Sequence, residues 1–379
     1  MLTLHGPPGI RRGQSMNDLG LIEDGSVLIR NNYIAAVGPT RRLENLKEAR
    51  DAAVIPASGR IVVPGFVDSA LRVMAGSTLR AVRQPNLNRM AQEASGVLRS
   101  ALQHGTTRAE VKIGGSSASD EFKALKSAKR MQANGEQFVR TWLARLCPGE
   151  NGADVVASRK PHFEYVSKKL RDTFFEVETG PGSVRAAARL LSAAAEHRLA
   201  SKLNWAAPSD ETLLDLLSAF RIHTIAGLDG LDNALIHALC GSQTTLVITG
   251  GENALGMDKQ AFRVREFADA NGAIALASGY DPVHSPIFNM QMAIALAVGR
   301  MQLTPEEAIT AATVNAAYAS GIGSRAGTLE VGKQADLIIL NLASYRDLPR
   351  QFGINHVGLV IRSGNVVFNR IGWKPARAG

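Results

Sequence analysis

Runs of apolar residues divide the chain into two styles. Near the start, Gly25-Ser26-Val27-Leu28-Ile29-Arg30 leads through Asn31-Asn32 into Tyr33-Ile34-Ala35-Ala36-Val37-Gly38, two strand-like runs about a short turn, which predicts a β-hairpin. The far end repeats this character in Ala335-Asp336-Leu337-Ile338-Ile339-Leu340 and again from His356 to Phe368. In between, short apolar runs at Thr107 to Lys112, Phe138 to Leu143, Thr173 to Val177, Ala200 to Asn204, His223 to Ala226, Thr245 to Thr249 and Ala273 to Ala277 are spaced for βα units. Helical patterns separate them, among them Val184 to Arg198, Glu211 to Phe220 and Asp258 to Asn271. Thr304-Pro305-Glu306-Glu307 opens a further helix with a capping threonine, proline at the first helical position and early acids.

One more strand follows the break in Val62-Val63-Pro64-Gly65-Phe66-Val67 and brings the parallel-type strands to eight, the number that closes a (β/α)₈ barrel. The expectation is an α/β chain: a (β/α)₈ TIM-like barrel over residues 65–323, plus a small β-sandwich domain built from both chain ends, 1–64 and 324–379. In such a barrel, chemistry belongs at the C-terminal ends of the strands.

At 379 residues and 45% hydrophobic content, the chain can bury one large core and a smaller one. No apolar run approaches the roughly 18–20 residues that span a bilayer, and the opening Met1 to Pro8 carries neither a basic leader nor a long apolar segment. A cytoplasmic protein with no membrane partner is expected. Cys147 and Cys240 stand far apart and outside any C-x-x-C, so both are expected to be buried thiols. The net charge of +9 raises the question of an acidic partner. The basic residues look scattered apart from Arg159-Lys160, Lys168-Lys169 and Arg171, without interleaved aromatics, and no nucleic-acid partner is expected.

Pro64-Gly65-Phe66-Val67-Asp68 resembles the segment that announces the first barrel strand of the amidohydrolase superfamily. Within it the chain is most similar to imidazolonepropionases, through Gly20 to Gly25, His104-Gly105-Thr106-Thr107 with Glu110-Val111-Lys112, Met290-Gln291, Thr304 to Ala308, Asn315 to Ala317, Leu329 to Leu337 and Phe352 to Val357. That resemblance implies a metal-dependent opening of a cyclic amide, with a His-x-His pair on the first strand. Here the two positions are Ala70 and Arg72. A third histidine is implied where Asn204 stands, an acid at Ala207, a further histidine at Gly230, and the metal-binding, proton-transferring aspartate at Gly279; Gly115 and Leu146 replace a tyrosine and a histidine that meet substrate.

Alanine and glycine offer no donor, arginine is a fixed cation and asparagine a weak neutral ligand, whereas ionising a bound water needs several well-placed ligands. The eight histidines form no H-x-H, H-x-x-x-H or H-E-x-x-H. No metal or other cofactor is therefore expected, and the site candidates are ligand-binding residues: Arg72, Arg145, Asn204, Asp281 and His284. Arg72 and Arg145 could grip a small anion, or Arg72 could pair with Asp68 or Glu176 and merely fill space; His223, at the start of a strand, reads as structural. Three functions stay open. The first is a non-hydrolytic relative that binds a small molecule or a protein partner. The second is an enzyme acting on a cyclic amide through Arg72, Asn204, Asp281 and His284 without metal, and the third is a hydrolase with a relocated zinc or iron site. A homodimer is implied by resemblance alone.

Overall fold

The computed structural model describes residues 1–75, 87–146, 154–205, 211–228, 230–250, 259–282 and 285–374. Strands β1 (Gly25–Arg30) and β2 (Tyr33–Pro39) form the expected hairpin, with Arg30 opposite Tyr33. A four-stranded antiparallel sheet joins β3 (Ile61–Pro64) to β12 (Leu337–Leu340), β13 (Val357–Arg362) and β14 (Asn365–Asn369). Ile34 of the hairpin and Leu337, Ile339, Leu359 and Ile361 of the sheet share one apolar core, so segments from both chain ends are buried together.

Eight parallel strands lie side by side in sequence order: β4 (Phe66–Met74), β5 (Thr106–Ile113), β6 (Val139–Arg145), β7 (Thr173–Thr179), β8 (Ser201–Trp205), β9 (Ile222–Ala226), β10 (Thr245–Thr249) and β11 (Ile274–Ala277). The ring closes where Leu71 bridges Tyr280 in parallel and the Arg72 amide donates to the Tyr280 carbonyl at 2.8 Å. Outside run α1 (Leu87–Gln103), α2 (Ala118–Ala133), α3 (Lys160–Lys169), α4 (Val184–Glu196), α5 (Glu211–Ala219), α6 (Asn233–Cys240), α7 (Lys259–Asp269) and α8 (Met290–Met301). The layer between strands and helices is apolar and partly aromatic: the Trp142 ring lies 4.7 Å from Phe163 and 4.8 Å from Phe175. The helix opened by Thr304 is capped as expected, Thr304 Oγ1 accepting from the Glu307 amide at 3.1 Å while Glu307 Oε2 accepts from the Thr304 amide at 2.8 Å.

A single residue separates β3 from β4. Gly65 donates to the Asp336 carbonyl at 3.0 Å, and a Cβ there would stand 2.1 Å from Thr107 Oγ1, so only glycine lets the chain cross from one sheet into the other. Arg108 on β5 braces the same junction, its guanidinium forking onto Asp336 at 2.5 and 3.1 Å. Among the described residues no helix is long and apolar enough to cross a membrane. Cys240 is half-exposed at the end of α6, a correction to its expected burial: a helix C-terminus on the outer ring is only partly covered. Cys147 lies outside the described residues.

Candidate functional site

On β4, Ala70 and Arg72 both face the barrel interior, two residues apart, just after Asp68, where the strand's register is irregular. Ala70 packs with Ala275 and Ala277 of β11, its neighbour across the closing seam, with Val247 of β10 and with half-buried Ala226, an apolar patch at the first position of the family's histidine pair. Arg72, at the second, spans the barrel interior to β7, where Nη1 donates to Glu178 Oε2 at 2.9 Å. Arg145, the last residue of β6, donates through Nε to Glu178 Oε1. The three side chains are 12%, 25% and 15% exposed for Arg72, Arg145 and Glu178, so the cluster is largely but not wholly withdrawn from water. Burial pushes the Glu178 carboxyl up, but the Arg72 and Arg145 charges outweigh it and hold it below the usual carboxylate range.

Arg72 therefore takes a carboxylate partner, but neither of the two expected. Asp68 is occupied with backbone, its Oδ1 accepting from the amides of Ser278 at 3.0 Å and Ala70 at 3.2 Å. Burial raises its pKa, and its Oδ2 has no hydrogen-bond partner among the described residues. Glu176 is held by Lys112. Glu178 escaped the sequence reading because the apolar run ends at Val177; the period of two through Phe174, Glu176 and Glu178 was the signal that could have found it.

Asn204 is buried on β8 beside Glu178 in the strand register, its amide oxygen seated against Gly227 in the turn after β9. Asp281 is buried just past the closing seam, where its backbone exchanges two hydrogen bonds with Ser285 at 2.7 and 2.8 Å. His284 lies outside the described residues, as does Ala207. The structure thus brings Arg72, Arg145 and Asn204 together around Glu178 and puts Asp281 on the seam residue that follows the Arg72 backbone partner. His223 is structural: its Nε2 lies 3.1 Å from the Tyr318 carbonyl, and its ring stacks on Phe174.

Below the mouth lies a buried charge network, in which Glu176, offered above as a partner for Arg72, is engaged instead. Glu110 accepts from Lys112 Nζ at 2.7 Å, Lys202 Nζ at 2.6 Å and Thr141 Oγ1 at 2.6 Å. Lys112 also donates to Glu176, and Lys202 to the Ala319 carbonyl at 2.8 Å, with its ammonium 4.1 Å over the Phe174 ring. Burial raises the Glu110 carboxyl, yet the two lysines overcome that and bring it down to about 2. The lysines diverge for a physical reason. Burial lowers both, but Lys112 hydrogen-bonds two carboxylates and ends above its ordinary value, while Lys202 hydrogen-bonds only Glu110 among the carboxylates, feels the Lys112 charge against it, and ends at about 8.

The positions where the family implies metal ligands hold an apolar methyl at Ala70, a paired guanidinium at Arg72, a neutral amide at Asn204 and a glycine at 279. Gly279 is left-handed, with φ +66°, and a Cβ there would meet the Thr249 Cβ at 2.6 Å, so the backbone itself excludes an aspartate in this conformation. Among the described residues no group of three or more His, Cys, Asp or Glu stands together as a cation site. The described residues at these positions do not by themselves supply the donors that a divalent transition metal takes.

A family model described as the amidohydrolase family matches residues 233–367. The chain is 32% identical to the imidazolonepropionase of Geobacillus kaustophilus (strain HTA426), over 94% of this chain and 93% of that one. It belongs to the amidohydrolase superfamily. Within the superfamily it is imidazolonepropionase-like, since the protein of that name from Solibacter usitatus (strain Ellin6076) is also 30% identical over 98% of this chain and 97% of its own length. Superfamily geometry extends to distant folds: E. coli guanine deaminase superposes with a TM-score of 0.72 at 16% identity, covering 97% of both chains. A zinc-bound adenosine deaminase from Xanthomonas campestris gives 0.68 at 18% identity, over 92% of this chain and 89% of its own. At such identities the likeness shows the fold alone.

Proposed function

We propose that this imidazolonepropionase-like chain is not a metal-dependent hydrolase and instead holds a small anionic molecule at the mouth of its barrel. The observation that carries the reading is the Arg72–Glu178–Arg145 cluster. Two guanidiniums converge on one carboxylate, at the place where the superfamily's first strand otherwise presents imidazoles. A guanidinium stays charged in any protein environment and forks onto carboxylate or phosphate oxygens, while Asn204 beside it supplies a neutral amide. With Ala70 and Gly279 lacking donors, the mouth can orient an anion, and among the described residues no group set stands there that would ionise a bound water.

Identity of 30–32% with imidazolonepropionases supports a second reading, hydrolysis of a cyclic C–N bond by other means or with a relocated metal. Three measurements separate the two. Metal analysis of protein purified without added metal should find sub-stoichiometric zinc and iron, and a turnover screen on imidazolones, hydantoins and lactams should be blank. Calorimetry with small carboxylates and inorganic phosphate should show binding that Arg72→Ala abolishes. Stoichiometric metal or steady turnover would establish the second reading, and equal binding by wild type and Arg72→Ala would remove the anion site.

A further inference from the structure

We propose that the outer face of α2 and α3 docks the phosphate backbone of a nucleic acid strand. The basic cluster that looks modest in sequence is enlarged by the fold. The Phe122 ring of α2 lies 5.2 Å from the Tyr165 ring of α3, so the two helices are neighbours, and Lys129 of α2 reaches over Tyr165 at 5.9 Å. Lys123, Lys126, Lys129 and Arg130 of α2 thereby join Lys168 and Lys169 of α3, all of them exposed. Asp120 neutralises Lys123 at 3.3 Å and Glu164 meets Lys168 at 3.8 Å. The other four have no carboxylate within ion-pair distance among the described residues. Arg159, counted in the cluster from sequence, is instead buried against Glu121 at 2.8 Å and contributes nothing to the surface.

Along α2, steps of three and four residues set the cations about 5 Å apart, a row that a linear polyanion can follow. Lys126 sits 4.3 Å over the Phe122 ring, so lysine heads cover these aromatic faces and the contact is with phosphate rather than with stacked bases. None of the exposed large apolar side chains lies on α2 or α3. That disfavours a bilayer, which would receive an apolar anchor, and an acidic protein, whose interface would need an apolar centre.

The test is fluorescence anisotropy of a short labelled RNA of mixed sequence with the full-length protein. With four phosphates neutralised on a single strand, log K should fall with log salt at a slope of about −3, a weakening of roughly fifty-fold between about 50 and 200 mM. The variant K126E/K129E/R130E/K169E should lose binding at every salt concentration, and R41E/R42E, on exposed arginines of the N-terminal region, should bind as wild type. Circular dichroism melts establish that the variants fold, and the charge-neutral K126Q/K129Q/R130Q/K169Q set should fall between them. No RNA binding at low salt, undiminished binding by the glutamate variant, or binding by phosphatidylserine vesicles in place of RNA would overturn the proposal.

Discussion

Two ammonium groups share Glu110, and removing one member of this network should not cost what removing another does. The network of Glu110, Glu176, Lys112 and Lys202 is neutral as a whole and buried. Glu110→Gln keeps the shape but leaves two buried ammoniums on the single carboxylate of Glu176. Bringing Glu110 down from 4.5 to about 2 corresponds to about 3 kcal/mol, and leaving a buried charge uncompensated costs about 3–5 kcal/mol. Lys202 stands at about 8 against an ordinary 10.5, so burial already works against its charge by about 3 kcal/mol. Lys202→Met leaves Glu110 and Glu176 sharing the one ammonium of Lys112, but it removes that penalty and Glu110 keeps both Lys112 and Thr141 as donors. Glu110→Gln should therefore be the more damaging by about 2 kcal/mol or more at neutral pH. For 379 residues at about 2 cal/mol/K per residue, a loss of about 4 kcal/mol is roughly 5 °C in a thermal melt, and Lys202→Met should lower Tm by less than half of that. The pH dependence checks the signs. Glu110 has a depressed folded pKa, so its contribution is present above 4.5 and lost as pH falls towards about 2; the gap between wild type and Glu110→Gln should close over that window. Between pH 8 and 10.5 the unfolded chain still holds the Lys202 proton that the folded one has released, so this residue's contribution rises with pH and the Lys202→Met deficit should grow. Equal loss by both variants at neutral pH, or a Glu110→Gln gap that persists down to about pH 3, would refute this account of the barrel interior.

Other expectations concern the mouth and the helical layer. Glu178→Gln leaves both guanidiniums without their shared carboxylate and should tighten binding of small carboxylates about tenfold by calorimetry, roughly 1.4 kcal/mol; unchanged affinity would detach the cluster from ligand binding. Because Glu178 is held below the usual range, the stability it confers is present above its unfolded value and lost as pH falls, so the same variant should flatten the acid side of the stability profile. Gly279→Asp places a side chain on a left-handed backbone against Thr249 and should cost about 2 kcal/mol or more in denaturant midpoints, with no gain of bound zinc on metal analysis. His162 is pushed down by burial, with its Nε2 2.6 Å from the Ala118 carbonyl and its ring stacked on Trp142. Stability should therefore rise with pH just below 6.5, and His162→Phe should remove that rise in pH-resolved melts.

The barrel was legible because its strands are short apolar runs bounded by glycine and by helical periodicity, and Thr245–Thr249 falls on its expected residues. What hydrophobic patterning hid are the polar residues that extend those strands. Thr179 ends β7 and Arg145 ends β6, both beyond where the apolar runs stop, because the last inward positions of a barrel strand face a mouth rather than a core. Glu178 is such a position, and without it Arg72 could be matched only to acids nearer the strand centre. The clustering of charge was not legible for a related reason. Residues 123–130 and 160–169 are thirty or more positions apart in sequence, and only the right-handed βα crossover that seats α2 beside α3 turns two ordinary basic helices into one field. The substitutions at Ala70, Arg72 and Gly279 were legible one by one, but their mutual consistency was not. A methyl packed against Val247, a guanidinium spanning to Glu178 and a glycine in the left-handed region are three separate local solutions, each of which fills or closes space that a ligated cation would need. Placing an imidazole or carboxylate at any one of these positions therefore meets side chains or backbone already committed elsewhere, so such a change at Ala70, Arg72 or Gly279 calls for adjustment at Val247, Glu178 or Thr249 as well.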